Sequence, residues 1–224
     1  MVHGAAVACV LAAWGMPFFS APTEPITFEF SRLYGSTEKS EATATVDMSF
    51  FSDGVNTLVG LDVVNTTSSL LDSSLTALGL ELPDTFDWQV RLVSADSYLN
   101  ELTFNDKVSP SWMDAAGGYD IMLTSDGKFE GGSAKGAPRA GQSQYLLLSL
   151  GNTVWSAEEM RSIFIDYYQN TDDHYAVARF QEIGKWGGSD KMLGAIIPTT
   201  PVPEPASAAL IAGGWLVIHV RRRR

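Results

Sequence analysis

Any hydrolytic or metal site in this chain has to be assembled from carboxylates, because the more reactive side chains are scarce. Cys9 is the single cysteine and lies in an apolar stretch near the N-terminus, so the rest of the chain offers no disulfide and no thiolate. Of three histidines, His3 and His219 fall in the terminal segments and His174 alone is internal. It follows Asp172-Asp173, a combination that can contribute to a metal site, and a charged turn before the last strand is the simpler account of it. Asp53, Asp126 and Asp190 sit in turn-like contexts where oxygen ligands gather around Ca²⁺, but no Asp-x-Asp-x-Asp loop is present. Adjacent acids occur at Glu158-Glu159 and Asp172-Asp173; a pair of carboxylates is what glycoside hydrolysis needs, and both pairs also suit a helix start or a turn. Gly-x-Ser-x-Gly, His-Glu-x-x-His and a phosphate-cradling glycine loop are all missing. The sequence therefore predicts no catalytic residue, no metal, no cofactor and a non-enzymatic body.

Aromatic residues offer a different chemistry. Trp112, Trp155 and Trp186 stand among Gly, Ser and charged residues, as loop tryptophans do. Their flat faces suit the C–H groups of a sugar, which makes them candidate glycan contacts, against the plainer alternative of residues at the edge of a core. Asn65-Thr66-Thr67 matches the N-glycosylation triplet by pattern alone. Nucleic acid is an unsuitable partner. The formal charge is −11, with 26 acids against 15 bases, and four of those bases are Arg221, Arg222, Arg223 and Arg224. The remaining chain is more acidic still and repels a phosphate backbone.

Two terminal segments differ from the rest. Ala5–Trp14 is an apolar run of the length of a signal-peptide core, and the reading places a signal peptide over residues 1–21. A cut after Ala21 puts Phe19 where a small residue is preferred and leaves Pro22 next in line. A buried N-terminal helix and a lipoprotein anchored through Cys9 are the alternatives. At the other end, Pro201, Pro203 and Pro205 bar a helix or a central strand. Ala206–Val220 then carries no formal charge, and four arginines follow. As a helix this stretch spans ~22 Å, short of a ~30 Å hydrocarbon core, and snorkelling arginines cover part of the difference. The arginines stay on the cytoplasmic side, so the body lies across the membrane from them.

Val202, Pro203, Glu204 and Pro205, then the apolar span through Ala206, Leu210, Trp215 and Val220, then Arg221–Arg224, resemble the PEP-CTERM sorting signal of Gram-negative bacteria. The resemblance covers residues 202–224, within a C-terminal segment 198–224 that includes the Pro-rich linker, and implies a transient transmembrane anchor cut near Pro-Glu-Pro by an exosortase-type protease. It implies a route through the inner membrane to the envelope, outer surface or extracellular matrix. Ala178–Gly184, Gly188–Lys191, Asn56–Leu58 and Asn65–Ser68 look like the uncharacterised β-sandwich body common among proteins with this tail, a group that lends no activity.

Between the ends, residues 26–197 read as one domain with a period of two. Phe86, Trp88, Val90 and Leu92 alternate with Asp87, Gln89 and Arg91 over Thr85–Val93, which predicts a half-buried strand. Further strands are predicted around Phe28 and Phe30, around Val46, Met48 and Phe50, over Asn56–Asn65, around Leu78, Leu80 and Leu82, and over Tyr119–Thr124, Tyr145–Leu150 and Tyr175–Gln181. Turn signals such as Asp53-Gly54, Gly117-Gly118 and Gly187-Gly188 separate them. Ser156 and Glu159 form a capping box that opens a helix over 157–168, with Met160, Ile163, Phe164 and Tyr167 at helical spacing. These elements predict an all-β, jelly-roll-like sandwich with one short helix. The expected role is structural or adhesive and linked to exopolysaccharide; a carbohydrate-binding module is the alternative, and a glycan hydrolase a weaker one.

Overall fold

A computed structural model describes residues 19–84, 86–96, 98–108, 118–125, 133–151, 155–169 and 176–197. Among the described residues, ten strands and one helix follow in order: β1 (Ile26–Phe30), β2 (Ala44–Ser52), β3 (Thr57–Asn65), β4 (Ser74–Leu80), β5 (Arg91–Ala95), β6 (Glu101–Val108), β7 (Tyr119–Thr124), β8 (Ser143–Ser149), α1 (Ala157–Gln169), β9 (Ala176–Ile183) and β10 (Gly188–Ile196). The predicted mostly-β character is present, with one helix among the described residues.

The alternation in the sequence fixes which face goes inward. Ile26, Met48, Leu61 and Leu146 are register partners across β1, β2, β3 and β8, and all four are buried in the main core. Thr27, Asp47 and Asp62 point the other way and stay half-buried. A slip of one residue in any of these strands would turn its apolar set outward, so the core locks the register. The β2–β3 turn is closed by Asp53, whose Oδ1 accepts from the N–H groups of Val55 (2.9 Å) and Asn56 (2.7 Å) around a Gly54 at φ 90°.

The strands form one antiparallel sheet in the order β5-β8-β3-β2-β1-β10-β9-β4-β7-β6, rather than the two packed sheets predicted. Its two edges, β5 and β6, approach each other, so the sheet nearly closes into a barrel. Both edge strands carry register irregularities, between Leu92 and Ser94 and between Phe104 and Val108, which blunt an edge against further pairing. The joint that unites the halves is β1 on β10, with Phe28 opposite Ile196. Alternation shows that a strand has one apolar face; it carries no information about which strand lies beside it.

Helix α1 lies where the capping box places it. Ser156 N–H donates to Glu159 Oε2 (2.8 Å) and Glu159 N–H to Ser156 Oγ (3.3 Å). Met160, Phe164 and Tyr168, four residues apart, enter the main core, with Phe164 against Phe50 and Trp88, and Tyr168 edge-on to Phe28. The predicted strand over Thr85–Val93 is corrected: β5 begins at Arg91, and the described residues before it form an irregular segment. Its alternation is nevertheless real. Trp88 packs on the core and Asp87 and Gln89 face solvent, but the Trp88 indole N–H donates to Pro83 O (2.8 Å), folding the segment on itself, and of its described residues only Gln89 N–H reaches the chain just past β8, at Leu150 O (3.5 Å).

Candidate functional site on the outer face of β2, β3 and β8

Register brings Thr27, Asp47, Asp62 and Tyr145 into one row across β1, β2, β3 and β8, on the face away from the core. Asp47 and Asp62 are direct partners on neighbouring strands, an arrangement that costs stability between like charges. Thr27 Oγ1 donates to Asp47 Oδ1 at 2.6 Å and holds that carboxylate in place. The Tyr145 ring lies on Gly60, where a Cβ would come within 2.5 Å of its hydroxyl oxygen, so only glycine leaves room for it. Burial, then the charges of Asp62 and Asp96, push the Tyr145 phenol up to about 12. It is therefore a protonated donor at neutral pH.

The residues Pro22–Pro25 complete this depression of about 250 Å³ together with Ser49 and Phe51. Beside it opens a larger cleft of about 560 Å³, walled by Val55, Leu58, Leu92, Val93 and Leu147 with Asp53 and Arg91 at its mouth. A small apolar cluster of Phe51, Leu58 and Leu147, packed by Phe19 and Tyr145, separates the two. Carboxylates that accept and aromatic faces nearby are groups that hold a hydroxyl-rich ligand; the Tyr145 hydroxyl lies buried at the floor of the depression with no hydrogen-bond partner among the described residues. None of this was visible in the sequence as a site: Asp47 and Asp62 read as ordinary polar positions of two strands, and only their register makes them neighbours.

The residues singled out from the sequence fall elsewhere. Trp155 is 41% exposed and packs edge-on to Phe86, while Trp186 is 90% exposed at the β9–β10 turn with Lys185 Nζ 5.5 Å from its ring centroid. They lie at opposite ends of β4, since Ser74 pairs with Gln181 near that turn and Phe86 follows Leu80 at the other end. Seven residues of strand span ~20 Å, so these two tryptophans do not form one platform. Trp112, Asp126, Asp172, Asp173, His174, Cys9, the apolar run Ala5–Trp14 and the whole of 198–224 lie outside the described residues.

Asp53 and Asp190 are occupied by the protein itself. Asp53 closes the β2–β3 turn as above. Asp190, buried to 1% exposure, accepts from the hydroxyls of Ser36 and Thr37 and from the N–H groups of Thr37, Glu38, Ser40 and Lys191, at 2.7–3.0 Å. Those donors use the oxygen lone pairs a metal ion would need. Glu159 is committed to the helix cap, so Glu158-Glu159 is not a working acid pair. Asn65 is fully buried, with Nδ2 donating to Ser73 O and Pro138 O and Oδ1 accepting from Thr67 N–H, which removes its amide from any glycosylation in the folded state.

A second acidic cluster pins α1 to the end of β4. Tyr167 donates to Glu81 Oε2 (3.2 Å) and Tyr168 to Glu81 O (2.7 Å), while Asp120 Oδ2 accepts from Leu82 N–H (2.9 Å). Burial, reinforced by the Glu81 charge, raises both phenols well above the ordinary tyrosine range. Its contacts tie helix to sheet, which is a structural use. Among the described residues no group of three His, Cys, Asp or Glu gathers as a metal site, and no helix is long and apolar enough to cross a membrane. No protein-family model matches the chain, and comparisons with curated proteins and with solved structures find no match.

Proposed function

We propose that this is an exported protein, sorted and cut through its C-terminal segment, whose β-rich body serves a structural or adhesive role in the cell envelope or extracellular matrix beside exopolysaccharide. One observation carries the reading: Val202-Pro203-Glu204-Pro205, a charge-free Ala206–Val220 and Arg221–Arg224 stand in the order of a PEP-CTERM signal. The protease is of the exosortase type, and the membrane holds the chain only in transit. Ile197, whose N–H donates to Thr27 O (2.9 Å), is fixed to β1 five residues ahead of Val202 in the sequence. The test is a Glu204→Ala variant in a Gram-negative host that carries such a protease. It accumulates uncut in the inner membrane, and normal maturation of the variant would remove the reading.

A second reading, binding of exopolysaccharide by the body, is favoured by the depression that joins Asp47, Asp62 and Tyr145. An Asp62→Asn, Tyr145→Phe double variant loses retention on the cell's own polymer at least tenfold while keeping its fold. Unchanged retention would reject that site. Release of new reducing ends by the unsubstituted protein would replace both readings with a hydrolase.

A further inference from the structure

The chain ahead of β1 belongs to the folded body. β1 begins at Ile26 opposite Met48, leaving the last four residues of β2 without a partner on that side. The segment Phe19–Pro25 fills the vacancy. Ser20 N–H donates to Ser52 O (2.9 Å), Ser52 N–H to Ser20 Oγ (2.8 Å), Thr23 N–H to Phe50 O (2.9 Å), and Phe50 N–H to Thr23 Oγ1 (3.1 Å). Phe19 sits 6.1 Å from Phe51, ring centre to ring centre, and packs on the cluster of Phe51, Leu58 and Leu147. Those three side chains point away from the barrel interior and are nevertheless buried. A cut after Ala21 would strip away Phe19 and Ser20, bare this outer cluster and leave Ser52 N–H without its acceptor.

We infer that export processing spares this segment and falls upstream, at the Gly15–Met16 bond, so that Phe19–Pro25 persists as a strap across the end of β2. The inference rests on the export reading above. Signal-peptide proteases require small residues at the first and third positions before the cut. Ala13-Trp14-Gly15 meets that requirement, and Ala5–Ala12 ahead of it is an apolar run of adequate length. Phe19-Ser20-Ala21 fails it at Phe19 and places the imino nitrogen of Pro22 in the scissile bond. The step is an ordinary amide hydrolysis: water adds across the Gly15–Met16 C–N bond, leaving a carboxylate on Gly15 and a new α-amino group on Met16. Sequence preference and the needs of the fold thus select the same side of Phe19.

The full chain, expressed with a Gram-negative export machinery, is recovered from the envelope and medium and its N-terminus sequenced. The expected first residue is Met16. A Gly15→Leu variant remains uncut, and an Ala21→Leu variant is processed as before. Exported protein that starts at Pro22, or that is blocked by Ala21→Leu, overturns the inference while leaving export intact. Uncut protein confined to the cytoplasm overturns export and the inference together. The strap has its own readout: Phe19→Gln keeps the Met16 terminus and lowers the melting temperature by about 5 °C. An unchanged melt would show that Phe19 is not part of the body. Glutamine is chosen because alanine at this position would itself complete a small-x-small site.

Discussion

Asp190 holds a whole loop with one carboxylate. Burial alone would raise its pKa, but donors from Glu38, Ser36, Thr37 and Ser40 outweigh that and hold it below the ordinary aspartate value. A carboxyl whose pKa is depressed on folding stabilises the protein above its unfolded pKa, and that contribution is lost as pH falls through the lower folded value. Asp190→Asn is expected to cost about 2–4 kcal/mol at neutral pH by mispairing donors around a buried group. The gap between the two proteins should narrow in acid, below roughly pH 4. Urea melts at pH 7 and pH 3 check this; a gap that stays constant would mean that the charge contributes nothing. The sequence reads Asp190 as a turn carboxylate that could face Ca²⁺, because its partners lie about 150 residues away and no local pattern announces them. Asp47 and Asp62 were illegible for the same reason, since register alone makes them neighbours. Asn65 was misleading in the other direction, for its triplet is intact and its amide is buried.

The elements that could be read locally were placed well. Capping box and four-residue spacing are both written within the helix, and α1 ends within one residue of its expected limit. Ser156→Ala is expected to destabilise by about 1 kcal/mol, measured by chemical denaturation, and no change would show that the cap is frayed in solution. Trp88→Ala removes an indole packed on Phe164 and bonded to Pro83 O, at a cost of about 3 kcal/mol. A cost below about 1 kcal/mol would mean that this segment does not cover the core. What remained hidden were the partners and edges. β6 and β10 were not predicted: the one is an edge strand carrying Glu, Asn, Asp and Lys, and the other opens on Gly188-Ser189-Asp190-Lys191, which reads as a turn continued by charges.

At the scale of the molecule, one curled sheet replaces the two packed sheets predicted because β10 joins β1 to β9. The body also reaches N-terminally past Ile26, to Phe19 at least, because Ser20 and Thr23 bond to β2 and Phe19 packs on Phe51. A protein covering 19–197 should unfold cooperatively and melt higher than one covering 26–197, which lacks the strap on β2; equal melting temperatures would contradict that boundary. Nothing in the body's packing declares its destination, which rests on the tail. The intact mass of the native protein recovered from the cell envelope tests that most directly. The account predicts a C-terminus close to Pro205, without Ala206–Val220 and without Arg221–Arg224. A mature envelope protein that still carries its four arginines would contradict it.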